Sequence, residues 1–179
     1  MAKLVSKVYG DALFDIALES GKLNDFWEEV KVINVALQEN PKLSKLMGHP
    51  KIGKEEKIKV IEDIFLGKVS GEILGLLVML VEKDHSGEMS AVLAYFNGRV
   101  KEHKRIGTAY VTTALELSPE KKEAVEKRLL ETTKYVKLEM HYVVDATLIG
   151  GLVIRIGDRV VDSSVRTKLK NLTRELEKI

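Results

Sequence analysis

Apolar residues recur at helical spacing through the first hundred positions and at alternating spacing from about residue 105 onward. The helical half is divided by short breaks into six segments, near 4–20, 22–39, 41–47, 53–66, 70–84 and 87–104. Ser20-Gly21 supplies a stop, because glycine takes the left-handed conformation that ends a helix at little cost. Asn40-Pro41 ends the second segment, since the residue before proline avoids helical geometry. His49-Pro50 and Gly53 open the next gap, Gly67 closes the fourth helix, and Ser86 is expected to cap the last through its side-chain oxygen.

Thr108 to Leu115, rich in β-branched residues, reads as a strand. Ser118-Pro119-Glu120 then starts a helix, with serine as cap, proline in the first turn and glutamate at the positive end. From Tyr135 to Asp145 the pattern alternates. Val136, Leu138, Met140, Tyr142 and Val144 share one face, and Lys137, Glu139 and His141 the wet one. Leu152, Ile154 and Ile156 continue it. Gly157-Asp158 is the kind of pair that closes a hairpin, with Arg159 to Asp162 returning. Asp162, Ser163 and Ser164 are cap candidates for a final helix whose Val165, Leu169, Leu172 and Leu176 form one stripe. The pattern predicts an α+β chain: a six-helix bundle over residues 1–105, then a small βαββα module over 106–179. The joint falls in the charged, glycine-ended stretch KEHKRIG, 101–107.

Two helices carry more apolar surface than one core contact needs. On the first, Val5, Val8, Tyr9, Ala12, Leu13, Ile16 and Ala17 cover about half the circumference at ~100° per residue. Leu4, Phe14 and Leu18 add a second face, leaving Lys7, Asp11, Asp15 and Glu19 as a polar strip. On the fifth, Ile73, Leu74, Leu76, Leu77, Val78, Met79, Leu80 and Val81 leave almost no polar side. Such a helix is central in its bundle or covered by a partner. A groove between the two would take an amphipathic helix from another chain, with Gly10 and Gly75 permitting close approach.

Composition narrows the chemistry. With 45% hydrophobic and 31% charged residues, the chain has the profile of a soluble globular protein. The absence of cysteine excludes disulfides, thiolate metal sites and a cysteine nucleophile. The longest apolar run, Ile73 to Val81, is far short of the ~20 residues of a membrane span. No apolar stretch at the N-terminus leads to a small-residue cleavage site, so no secretory leader is expected. His49, His85, His103 and His141 lack the i, i+4 spacing of a zinc helix, and no glycine pattern makes a phosphate cradle. No nucleophile elbow occurs, and the adjacent pairs Glu28-Glu29 and Glu55-Glu56 point in different directions. Trp27 alone marks no cofactor. No catalytic residue, metal or cofactor is expected. The final helix carries Arg166, Lys168, Lys170, Arg174 and Lys178, but acidic residues interrupt them. A solvated or protein-docking face fits better than a nucleic-acid patch.

The segment LIGGLVIRIGDRVVDSSVRTKLKNL, 148–172, resembles the signature of the δ subunit of F-type ATP synthases, called OSCP in mitochondria. Glycine pair, apolar strand, Gly-Asp, short return, Asp-x-Ser-Val, a basic residue and spaced leucines recur in that order. VYGDALFDIALESG, 8–21, resembles the same family's first helix. One departure is Glu82 to Gly87, EKDHSG, where the family often shows an acidic-Asn-Gly-Arg-like run.

The resemblance implies a non-catalytic stator adaptor. Its helical module would bind the N-terminal helices of the α subunits on the F1 head, and its C-terminal module the b subunits. The setting implied is the cytoplasmic face of the bacterial plasma membrane, with proton flow coupled to ATP synthesis. Tyr9, Ala12 and Leu13, continuing to Ile16, fall on the implied α-binding face; Leu76, Met79 and Leu80 match more loosely. Gly150, Gly151, Gly157, Asp158, Asp162, Ser163, Val165 and Arg166 match the C-terminal motif, where glycine serves tight geometry and Asp or Ser serves capping. Two alternatives stay open on sequence: a nucleic-acid-binding adaptor using the basic last helix, and a small hydrolase with a carboxylate site.

Overall fold

The computed structural model describes residues 2–49 and 51–176. The chain divides into two compact units, Met1–Val100 and Lys101–Ile179. Pro50 and Lys178, invoked above for a break and for the charge of the last helix, lie outside the described residues.

Six helices precede the first strand: α1 (Ala2–Glu19), α2 (Leu23–Glu39), α3 (Pro41–Gly48), α4 (Lys54–Phe65), α5 (Gly71–Glu82) and α6 (Met89–His103). Gly21 has φ +67° and ends α1 in a Schellman turn: Lys22 N–H donates to Ala17 O and Gly21 N–H to Leu18 O. The same turn ends α5, but Asp84 stands at the left-handed position, φ 61°. Lys54 Nζ holds it there, 2.7 Å from both Asp84 Oδ2 and Glu82 O. The departure from the family pattern at 82–87 therefore falls on this turn. The N-terminus of α5 is satisfied from a distance. Glu29 on α2 accepts from Ser70 N–H and Ser70 Oγ–H, both at 2.7 Å. Glu29 is thus a tertiary cap for α5.

The core of the helical unit takes residues from all six helices. Fully buried side chains include Leu13, Phe26, Ile33, Ile61, Ile73, Leu77, Leu80, Leu93 and Phe96. Trp27 is half-buried, its Nε1–H donating to Asn97 Oδ1 at 2.7 Å. Ser86 does not cap α6. It starts a 3₁₀ turn, Ser86–Glu88, and its hydroxyl donates to Met47 O while accepting from the buried Lys57. Burial drew the hydroxyl into a tertiary network that joins α3 and α4 to this turn.

The second unit contains β1 (Ile106–Thr113), α7 (Pro119–Thr132), β2 (Lys137–Val144), a 3₁₀ turn at Ala146–Leu148, β3 (Leu152–Ile156), β4 (Arg159–Asp162) and α8 (Val165–Leu176). Its order is βαβββα, one strand more than the βαββα expectation. The apolar alternation runs through both β2 and β3, and the 3₁₀ turn separates them. Strand order is β2-β1-β3-β4, with β1 and β2 parallel across α7 and the other pairs antiparallel. Gly107 is no linker residue. It is buried in β1, where an added Cβ would lie 2.7 Å from the Tyr135 ring. Ser118 flanks α7 with extended geometry but makes no side-chain cap.

The β2 face expected to be covered is covered only at its centre. Leu138 is buried and Met140 and Tyr142 are half-buried, whereas Val136 and Val144 are exposed. Among the described residues, twenty hydrophobic side chains are buried in the helical unit and five in the second. That small core leaves the second unit with surplus apolar surface.

Candidate interaction surfaces

Helix α1 packs against α5, and the two run antiparallel. Tyr9, in the N-terminal half of α1, meets His85 just past the end of α5, with ring centroids 5.9 Å apart. Lys22, just past the end of α1, reaches Glu72 at the start of α5, 3.4 Å away. The Glu72 carboxyl is held below its ordinary range, first by a backbone hydrogen bond and then by Lys22.

One side of α1, formed by Gly10, Leu13, Phe14 and Ala17, is buried. The adjacent side is apolar and open. Ala12 is exposed, Val8 and Ile16 are 57% and 46% exposed, and Tyr9 is half-buried. Across from them on α5, Met79 is 46% exposed and Gly75 is open, with nothing within 4 Å of an added Cβ. Leu76 lies at the edge of the core. An apolar shelf thus extends from α1 to α5.

Three expectations about this shelf change. Leu13, Leu76 and Leu80, read as contact residues, are core residues at 2%, 9% and 0% exposure and can only support the shelf from below. Gly10 does not receive a partner, because the Tyr95 ring covers it and would lie 2.5 Å from an added Cβ. Asp11 completes that contact, accepting from Tyr95 Oη–H at 3.1 Å and pairing with Arg99 Nε at 3.0 Å. The nearly all-apolar α5 is chiefly central: Ile73, Leu77, Leu80 and Val81 face inward, and Gly75 and Met79 do not.

In the second unit the motif residues make a clamp under α8. Gly151 has φ +78°, and an added Cβ would lie 2.4 Å from Ser163 O. Gly150 O accepts from Val165 N–H, and the Val165 side chain packs over Gly150. Asp162 accepts from Ser164 N–H at 2.8 Å and from the Thr167 hydroxyl at 2.7 Å. These bonds, the backbone one foremost, hold its carboxyl below the ordinary value. The helix cap itself is Ser164, absent from the matched motif residues, whose buried hydroxyl accepts from Thr167 N–H. Ser163 contributes its backbone, donating to Leu152 O. Arg166 reaches Thr147, tying α8 to the 3₁₀ turn. Gly157, φ +55°, opens the β3–β4 turn, and Asp158 follows it, exposed.

The clamp orients a helix whose apolar stripe is uncovered. Val165, Leu169, Leu172 and Leu176 are 36%, 51%, 55% and 70% exposed, rising away from the clamp. Beside the end of α7, an open cleft of about 630 Å³ is lined by Leu129, Tyr135, Ile154, Ile156 and Val161. Contiguous exposed apolar surface of this kind marks docking sites.

Tyr142 donates to Lys122 O and Tyr135 packs at Gly107, so neither flanks the basic residues of α8 as a stacking platform. Among the described residues, no cluster of three or more His, Asp or Glu could hold a metal, and no helix is long and apolar enough to cross a membrane.

Comparison with known proteins agrees across the whole chain. A family model described as ATP synthase delta (OSCP) subunit matches residues 5–176. An ATP synthase subunit delta from Lachnoclostridium phytofermentans is 52% identical over 179 residues, covering 100% of this chain and 98% of the relative. One from Halalkalibacterium halodurans is 34% identical over 172 residues, covering 96% and 94%. A chain of the Toxoplasma gondii mitochondrial ATP synthase hexamer shares the fold, with TM-score 0.76 and 96% coverage of both chains at 18% identity. None of these relatives favours a nucleic-acid-binding adaptor.

Proposed function

The chain belongs to the ATP synthase delta (OSCP) subunit family, the peripheral-stalk component of F-type ATP synthase, and we propose that its two units grip different partners. The helical unit, residues 1–105, acts as one bundle and binds N-terminal helices of the α subunits on the F1 head along the α1–α5 shelf. The α/β unit, residues 106–179, holds the membrane-anchored b subunits along α8 and the neighbouring cleft. The protein performs no bond chemistry. It resists rotation of the head while the rotor turns, on the cytoplasmic face of the bacterial plasma membrane.

One observation carries this reading: each unit bears its own uncovered apolar stripe on a helix fixed by its neighbours. On α1 the stripe is Val8, Ala12 and Ile16, backed by the Leu13 core contact and the Asp11–Tyr95–Arg99 lock to α6. On α8 it is Leu169, Leu172 and Leu176, aimed by the glycine clamp. A helix laid on either stripe buries apolar area at roughly 25 cal/mol per Å² without first unfolding anything. Co-purification of the tagged full chain from cells, probed for α and b subunits, tests the proposal. Both should be recovered, and recovery of neither would overturn it.

A further inference from the structure

The shelf on α1 and α5 has an acidic rim, and we infer that it selects an amphipathic helix whose apolar stripe is flanked by Lys or Arg. This rests on the docking role just proposed for that shelf and adds the chemistry of the partner.

At ~100° per residue, Asp15 stands about 60° from Ala12 on α1, beside Val8 on the shelf's outer margin, and Glu19 lies within about 20° of Ala12, closing the C-terminal end of the stripe. Both are exposed. On α5, Glu82 continues the exposed line of Gly75 and is itself exposed. Among the described residues, none of these three carboxylates has an ion-pair partner. The nearby cations do not neutralise them. Lys22 is engaged by Glu72 and Lys54 by Asp84. Lys3 and Lys7 project from the other side of α1, about 180° and 140° round from Ala12. Lys83, just past α5, is exposed and sets a single positive charge against the three acids. A helix that covers Val8, Ala12, Ile16 and Met79 must bring its own flanks against this rim. Glutamate there would face like charge beside a water-excluding contact, whereas lysine or arginine would gain three charge pairs.

The test uses the full chain and two synthetic peptides of about 18 residues, long enough to form a helix on the shelf. Both carry the same Leu/Ile/Ala stripe, one flanked by Lys and the other by Glu. Calorimetric titration at low salt should find the Lys peptide about tenfold tighter, since three exposed charge pairs each give a factor of about two to three. The gap should close at about 1 M salt, where the screening length falls to about 3 Å. The triple variant Asp15→Lys, Glu19→Lys, Glu82→Lys alters exposed positions only and should reverse the preference. Equal affinity for both peptides, or a triple variant that still prefers Lys flanks, would overturn the charge selection and leave the docking shelf standing. Binding of neither peptide, with the chain folded, would overturn the shelf itself and the inference with it.

Discussion

Gly151→Ala should unfold the clamp under α8 and leave the helical unit untouched. The added methyl would sit 2.4 Å from Ser163 O and 3.1 Å from both Ser163 C and Ser164 Cα, all backbone atoms that no rotamer change can move. The position also has φ +78°, where an alanine costs roughly 1–2 kcal/mol. Relieving the overlap requires the loop to part from the start of α8. That breaks the bonds from Val165 N–H to Gly150 O and from Ser163 N–H to Leu152 O, each worth about 0.5–1.5 kcal/mol net. The expected loss is therefore about 2–5 kcal/mol. Gly157→Ala is the control. It shares the positive φ, but open space surrounds the new methyl, so about 1–2 kcal/mol is expected. Urea unfolding should be followed with two probes. Fluorescence of Trp27, the single tryptophan, reports the helical unit, and amide exchange of β1 reports the sheet. Gly151→Ala should shift the β1 transition well below that of Gly157→Ala, with the Trp27 transition unmoved. Equal shifts for the two alanines would refute the steric clamp.

Other outcomes follow from the same geometry. Limited proteolysis should cut at Lys104–Arg105, where α6 has ended and Arg105 adopts φ 54°, and mass spectrometry of the fragments reads the site. A cut inside 89–103 instead would contradict the helix boundary. Asp162→Ala should lower the melting temperature of the C-terminal unit at neutral pH. Because the folded-state carboxyl titrates below its ordinary 3.8, its contribution is present above that value and fades as pH falls through the lower folded value. The gap between variant and parent should therefore narrow in acid, and a gap that widens there would show that another group dominates. Gly10→Leu should destabilise the helical unit by about 1–3 kcal/mol by driving a side chain into the Tyr95 ring; an unchanged melting temperature would place Tyr95 elsewhere.

Much of the fold is written locally. Gly21, Gly67 and Asn40-Pro41 punctuate the helices where the structure breaks them, because a left-handed turn or a proline constrains the chain whatever surrounds it. The separation of β2 from β3 was less legible. Residues 138–156 keep one apolar alternation, and only the tight 3₁₀ turn with Ile149 and Gly151 at positive φ divides it. The roles of Ser86 and Glu29 depend on residues 29–41 positions away, which no local spacing announces. The interaction surface was legible as a surplus of apolar residues but not as a list. Leu13 and Ala12 are neighbours on one apolar face, yet one is core and the other open. Periodicity measures how wide an apolar face is and not which part of it the rest of the chain covers.

Two independent docking stripes would let the protein grip head and stalk at once, and one paired titration tests whether they are separate. A peptide spanning the N-terminal helix of α and a segment from the C-terminal end of b are titrated into the parent chain, Ala12→Asp and Leu169→Asp, with thermal unfolding recorded for each. Both positions are exposed, so both variants should stay folded. A buried unpaired carboxylate costs several kcal/mol. Ala12→Asp should therefore weaken the α peptide at least ~100-fold, about 2.7 kcal/mol, and leave the b segment unaffected, with Leu169→Asp doing the reverse. If either substitution weakens both partners alike, or neither weakens its own, the two stripes are not separate grips.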